Sequence, residues 1–395
     1  MLVGLIGKPN AGKSSFFNAA TSLDVPVASY PFTTIEPNVG IAHIFRRCVC
    51  RELGVKDDPR NSACEDGVRR IPVRLVDVAG IIPGASRGLG LGNRFLDELR
   101  RADALIHVVD ASGSTDREGK PASGHDPLED VSFVEQEFDL WVTGVMKRDW
   151  DRVSHIPDQN RIRDELLERL SGLGVRRSDY SDALRRAGLE GRRAQDWSAD
   201  DTLRFASEIR KACKPMLVAA NKCDLPGSRE NVARMSSSGR LVVPASAAAE
   251  LVLLKARQKG MIEYTPGDAA FRRTGALTQE QERALAFVEQ KVLGPWGGTG
   301  IQKAISEAYF GLLGGVVVYP VEDENRFSDK SGKVLPDVHI VPAGSTARDL
   351  AYRIHGDLGE GFLYAVDAKK KLRLGADYRL KDGDVVKIVS AAKRG

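Results

Sequence analysis

"LVGLIGKPNAGKSS", residues 2–15, is the stretch on which the fold turns. Residues 2–6 are apolar and run into a glycine, the pattern of a strand buried on both faces of a parallel sheet. Residues 7–14 fit G-x-x-x-x-G-K-[ST], and residues 13–20 read as the helix that follows. Strand, glycine-rich loop and helix in that order make a cradle for phosphates. Gly7 and Gly12 let the chain curl so that backbone N–H groups converge on an anion at the helix start. Lys13 is placed to reach the β- and γ-phosphates, and Ser14 to offer its hydroxyl to Mg2+. The candidate contacts here are Gly7, Lys8, Pro9, Asn10, Ala11, Gly12, Lys13, Ser14 and Ser15.

Further out, residues 73–76, 104–109 and 216–220 are short apolar runs ending in polar or glycine-rich turns. They predict a mostly parallel α/β sheet that binds its ligand at the carboxyl ends of the strands. Residues 93–101 read as another crossover helix. "DVAG", residues 77–80, closes one run: Asp77 is expected to hold Mg2+ through water, and the Gly80 amide to sense the γ-phosphate. "NKCD", residues 221–224, closes another. Asp224 can accept from both N1–H and the exocyclic amine of guanine, a donor pair that adenine lacks. Asn221 is expected at the base edge and against the phosphate loop, with the Lys222 stem over the ring. In "PASAA", residues 244–248, Ser246 and Ala247 form the matching turn, where the Ala247 amide can donate to guanine O6. Four motifs in this order specify a guanine-nucleotide site taking GTP or GDP with Mg2+. After Gly80 come Ile81, Ile82 and Pro83, none of which can handle a proton or a water.

Residues 125–213 have a different character and read as a helical insertion. Apolar residues recur every three or four positions in 127–145 and 162–170, with Gly172 expected to end the second helix. Ser198 and Asp201 resemble a capping box at the start of 198–213. Arg161, Arg163, Arg169, Arg176, Arg177, Arg185, Arg186, Arg192 and Arg193 suit two readings equally. One is a solvated face, since Asp164, Glu165, Glu168, Asp179 and Asp182 interleave; the other is a footprint on RNA phosphates. Residues 248–310 turn helical again. Strands at 316–319, 338–341 and 384–389 with a helix over 345–355 predict a small β-grasp module, in which Lys369, Lys370 and Lys371 suit a solvated hairpin or an RNA contact. The expected division is 1–124 with 214–315 for the nucleotide domain, 125–213 for the insertion and 316–395 for the β-grasp module.

A chain of 395 residues is too long for one core. Its 42% hydrophobic and 28% charged residues exclude wholesale disorder, and a net charge of +4 permits nucleic-acid contact without requiring it. Five cysteines, an odd number, point to a reduced compartment. Cys48, Cys50 and Cys64 lie near His43, but structural zinc pairs usually leave two to four residues between ligands, so ordinary free thiols are expected. The amino terminus shows no basic leader, and the apolar run at 308–319 falls short of the ~18 residues that span a bilayer. A cytoplasmic monomer without membrane contact is expected.

"GKPNAGKSSFFNA", "SYPFTTIEPNVG" and "DVAGIIPGASRGLGLGNRFLDELRRADALIHVVDAS" together resemble the Obg-like GTPases, specifically the YchF-related branch. "PAGSTARDLAYRIH" and "LKDGDVVKIV" resemble the TGS domain, a ubiquitin-like module. The resemblance implies a Ras-like P-loop GTPase domain that hydrolyses GTP to GDP and phosphate, slowly when alone. It implies Thr34, with Thr33 as rival, as the switch threonine on Mg2+. In relatives where an apolar residue such as Ile81 replaces the usual glutamine, an asparagine at the position of Asn10 helps bind K+. The implied catalytic set is Lys13, Thr34, Gly80 and Asn10, and the implied partner is the ribosome or RNA. YchF itself is associated with ATP and usually alters its Asn-Lys-x-Asp motif; the intact Asn221, Lys222 and Asp224 favour GTP here. Two rivals remain: a YchF-like ATPase, and a binding module in which nucleotide sets conformation and turnover is incidental.

Overall fold

A computed structural model describes residues 1–22, 38–78, 80, 84 and 99–391. Thr33, Thr34, Ile81, Ile82, Pro83 and most of the helix expected over 93–101 lie outside the described residues. The strands are β1 (Leu2–Ile6), β2 (Val39–Arg47), β3 (Ala63–Glu65), β4 (Val68–Asp77), β5 (Ala104–Asp110), β6 (Met216–Asn221) and β7 (Val242–Pro244). After a short pair, β8 (Ile262–Glu263) and β9 (Arg272–Arg273), follow β10 (Val316–Val321), β11 (His339–Val341), β12 (Phe362–Asp367), β13 (Leu372–Leu374) and β14 (Asp384–Ser390). The helices used below are α1 (Lys13–Thr21), α2 (Cys50–Leu53), α3 (Pro127–Met146), α4 (Trp150–Ser154), α5 (Gln159–Arg169), α6 (Arg177–Arg186), α7 (Ala199–Cys213), α8 (Ser228–Ser237), α9 (Ala247–Gln258), α10 (Gln279–Val288) and α11 (Ala347–Ile354).

The chain forms two compact units. The first comprises Leu2–Ala19 and Leu75–Ala304. Its sheet is parallel: β1 pairs with β5, β5 with β6 and β6 with β7, in the registers Leu5↔Ile106, Val109↔Ala220 and Val218↔Val242. Every residue of β1 and β5 is buried, which is why these strands read as unbroken apolar runs instead of alternating ones. Just past β4, the Val78 amide donates to Leu5 O at 3.1 Å, setting Asp77 beside the end of β1.

The helical insertion belongs to this unit. Asp126 caps α3 by accepting from the Leu128 amide, with Pro127 opening the helix, and Ser198 and Asp201 make the expected capping box on α7. Its core is aromatic: Trp197 lies 5.9 Å from Trp150 and 5.2 Å from Phe205, and Tyr180 meets Phe205 edge-on at 5.2 Å. Arg210 on α7 donates to Asp139 on α3 at 2.6 Å, both buried. One expectation needs correcting. Helix α5 closes at Arg169, before Gly172, and a 3-10 turn follows (Ser171–Leu173), with Gly174 in the left-handed region at φ 75°. The Arg100 guanidinium lies over Gly172.

The second unit comprises Met1, Ala20–Arg74 and Ile305–Gly395. Residues 20–74 thus group with the carboxyl-terminal module, a division different from the motif-based boundaries. Strands β3 and β4 form a hairpin closed by Asp66 and Gly67, at φ 48° and 73° between the paired Glu65 and Val68. Two consecutive positive φ values are those of a type I′ turn, for which Asp-Gly is a favoured pair. The carboxyl-terminal sheet runs β11-β10-β14-β12-β13, with β10 and β14 parallel and the other pairs antiparallel. Leu350 and Ala347 of α11 pack onto Val318, Val341, Ala365 and Val386 of that sheet. This is the expected β-grasp arrangement. Among the described residues no helix is long and apolar enough to cross a membrane.

Candidate nucleotide site

The phosphate loop leaves β1 at Gly7, whose φ of 155° and close approach exclude a side chain: a Cβ would stand 2.4 Å from Val108 O. Asn10 is left-handed at φ 60°, and Gly12 at φ 89° could not carry a Cβ, which would meet Asn221 Nδ2 at 2.2 Å. Helix α1 begins at Lys13, and Ser14 and Ser15 are exposed on its first turn. Lys13 Nζ donates to Asp77 Oδ1, so the cation expected on phosphate and the carboxylate expected on metal-bound water face one space. Gly80 lies against the loop, its would-be Cβ 3.5 Å from Gly7 O and 3.7 Å from Pro9.

The Lys8 side chain is engaged within the protein, which suits the backbone role expected of this loop. Its ammonium is buried, 2.7 Å from Asp130 Oδ2 on α3 and 2.7 Å from Thr115 O. Only the Lys8 backbone is left for a phosphate.

On the base side, Asn221 ties two loops together. Its amide nitrogen donates to Ala11 O at 3.0 Å, and its Oδ1 accepts the Ala247 amide at 3.0 Å. The Ala247 N–H, expected on guanine O6, here braces Asn221. Ser246 is the N-cap of α9, accepting from the Ala249 amide at 3.2 Å. Lys222, left-handed at φ 61°, reaches Asp110 Oδ2 with its ammonium at 2.8 Å. Asp224 is half-buried, and its carboxylate meets no protein donor among the described residues. A guanine edge presents the pair of donors it lacks.

Asp110 was not among the anticipated residues. It ends β5 with its side chain fully buried, and accepts from Ser112 Oγ at 2.5 Å, Thr115 Oγ1 at 2.8 Å and Ser114 Oγ at 2.9 Å besides Lys222. Burial alone would raise its pKa; the Lys222 ammonium and the three hydroxyls outweigh that and hold it below the usual carboxylate value. The loop after β5 also lies on the phosphate loop: Gly119, at φ 81°, would place a Cβ 2.5 Å from Pro9 O, and Asn10 Nδ2 donates to Gly119 O at 2.9 Å. A buried acid after an apolar run, followed by Ser-Gly-Ser-Thr, was the available signal.

Parallel strands that feed a glycine cradle on one side and an Asn-Lys-x-Asp turn on the other define a P-loop protein of the GTPase type. Residues 2–134 match the family model described as 50S ribosome-binding GTPase, residues 219–323 that of the Obg-like GTPase YGR210-like G4 motif-containing domain, and residues 328–390 that of the TGS domain. A GTP-binding protein of Methanocaldococcus jannaschii is 49% identical over 99% of this chain and 100% of its own. The ribosome-binding ATPase YchF of Bacillus subtilis is 27% identical over 98% of each chain. A crystal structure of a GTP-binding protein from Pyrococcus horikoshii superposes with a TM-score of 0.77 at 41% identity, covering 99% of this chain and all of the other. The chain belongs to the Obg-like, YchF-related family of GTP-binding proteins.

Proposed function

We propose that the chain is a guanine-nucleotide switch that binds GTP with Mg2+, hydrolyses it slowly and acts on the ribosome or on RNA. The observation that carries the reading is Asp224: a half-buried carboxylate without a protein donor, beside an asparagine locked at both ends. Direct comparison of GTP and ATP affinities tests it, and tighter ATP binding overturns it. The ATPase reading draws on the name of the Bacillus subtilis relative; the intact Asn221, Lys222 and Asp224 weigh against it.

The residues fit the rest of the machinery. Ser14, Asp77 and Thr34 would hold Mg2+, which supplies positive charge to the β- and γ-phosphates. Lys13 would leave Asp77 for phosphate, and the Gly80 amide would report the γ-phosphate; Thr33 stays the rival of Thr34. The donor of the Asn10 side chain is already spent on Gly119 O, which leaves its carbonyl oxygen for K+. Held there, a monovalent cation would supply positive charge beside the phosphates, so that no base would be needed at Ile81. Turnover in KCl above that in NaCl, with the difference blunted in Asn10→Ala, is the expected result; equal rates in both salts remove K+ from the mechanism. Association with ribosomes is tested by co-sedimentation under GDP and under a non-hydrolysable GTP analogue. A nucleotide-dependent difference is expected of a cytoplasmic switch acting as a monomer.

A further inference from the structure

Four side chains far from the phosphate loop in sequence converge within the second unit. Cys48, Cys50, Cys64 and Asp57 each place one ligand atom within 4.8 Å of all the others. Cys50 Sγ and Cys64 Sγ are 3.9 Å apart, and Cys48 Sγ is 3.4 Å from Asp57 Oδ2. A tetrahedral zinc centre with Zn–S near 2.3 Å and Zn–O near 2.1 Å has S···S edges of about 3.8 Å and S···O edges of about 3.5 Å. The two measured edges match those lengths with the cysteines as they stand.

The backbone holds the four in place. The Cys48 amide donates to Gly67 O at 2.8 Å, joining the first ligand to the hairpin turn, and Cys64 lies on β3 opposite Arg69. Cys50 opens α2, so the helix start turns the second thiol back beside the first after a single intervening residue. Cys48 and Cys50 are buried, and Asp57 and Cys64 are half-buried at the outer side of the cluster. Arg69 is completely buried and donates to Asp57 Oδ2 at 2.8 Å and to Leu335 O at 2.7 Å. It fixes the carboxylate by donating to Oδ2, the same oxygen that faces Cys48 Sγ. A zinc ion with three thiolates and a carboxylate carries net negative charge, and a fully buried guanidinium is the counter-charge it needs.

We propose that Cys48, Cys50, Cys64 and Asp57 form a closed structural site for Zn2+ or another thiophilic divalent ion. Each thiol releases its proton to solvent on coordination, and the ion pins α2 to the β3–β4 hairpin. The spacing alone reads as free thiols; the proposal adds Asp57, a carboxylate from the intervening loop, as the fourth ligand.

The test uses the full-length chain, reduced, stripped with a chelator and titrated with Co2+ in the absence of nucleotide. About one equivalent is expected to give the intense visible bands of tetrahedral cobalt with near-ultraviolet thiolate charge transfer, displaced by Zn2+. Cobalt bound by oxygen ligands at the phosphate loop gives no thiolate band, so the two sites are distinguishable. Cys64→Ser, at a partly exposed position, should weaken zinc binding about 100-fold or more, whereas Cys213→Ser should match the parent protein. No thiolate band in the reduced parent chain overturns the proposal, as does a band that survives the Cys50→Ser, Cys64→Ser double substitution. A Cys50–Cys64 disulfide in place of metal uptake overturns it too.

Discussion

Asp224 lies in the turn just past β6 without a donor of its own, so what it binds is decided by the two hydrogen bonds it can accept. Asp224→Asn turns one acceptor into a donor. Guanine then faces a donor–donor clash, while xanthine, with a carbonyl where guanine has its amine, is matched. GTP affinity should fall about 100-fold or more and xanthosine triphosphate affinity should rise, read by titration calorimetry. Unchanged preference would mean the base lies elsewhere. Asn221 poses a different question, because its amide serves two backbone partners at once. Asn221→Ala leaves Ala11 O and the Ala247 N–H buried and unpaired, at a cost of about 2–4 kcal/mol in denaturant unfolding, alongside any loss of nucleotide. These two residues were legible in the sequence because their motif is contiguous. Asp110 was only half legible: its hydroxyl partners Ser112, Ser114 and Thr115 lie within five residues, but Lys222, 112 residues away, reaches it only when β5 and β6 pair.

Elements show the same division between local and distant causes. The cap of α7 was readable because Ser198 and Asp201 act within three residues of each other. The β3–β4 hairpin was missed although Asp66-Gly67 between Glu65 and Val68 carries the signal for a two-residue turn. Gly172 was misread because the chain continues past Arg169 as a 3-10 turn and the left-handed glycine that ends it is Gly174. Between α3 and α7 the buried Asp139–Arg210 pair is the discriminating element. Removing one partner strands a charge in the core, so Asp139→Ala should destabilise by about 3–5 kcal/mol. The double change Asp139→Leu, Arg210→Met should recover most of that loss, because the pair must itself offset the desolvation of two ions. Equal losses in both variants would mean the stabilisation comes from the attraction between the charges. Electrostatics also bears on the arginines of the insertion. Arg163 and Arg177 share Asp164, and Arg169 pairs with Glu165, Arg176 with Asp179, Arg185 with Asp182 and Arg192 with Asp201. That interleaving favours a solvated face over a phosphate footprint. Lys369 likewise pairs with Glu52 at 2.8 Å.

At the scale of the molecule, two units that each enclose neutral histidines must respond to acid. Burial pushes His43, His107 and His339 down to about 4; nearby Arg70 adds to the effect at His43 and Arg353 at His339, while Glu135 partly opposes it at His107. In the unfolded chain each imidazole takes up its proton near 6.5, before the folded chain does. The unfolded state therefore binds more protons between pH 6.5 and about 4, and stability falls as the pH drops through that window. The slope is about 1.4 kcal/mol per pH unit for each histidine. His43 and His339 lie in one unit and His107 in the other, so the first should lose about 2.7 kcal/mol per unit and the second about half as much. Asp110 acts in a separate range. Its folded pKa is depressed, so its contribution persists above the ordinary carboxylate value and is lost only as the pH falls below it. Burial also pushes the Glu250 carboxyl up in the unit of His107, so its folded form takes up a proton first and offsets part of the His107 slope. That widens the difference between the units, which hydrogen exchange of β10 and β5 at a series of pH values resolves. Protection that stays level from pH 7 to 5 in both strands would mean that these imidazoles accept protons without unfolding. Equal slopes would instead mean that the two units open as one.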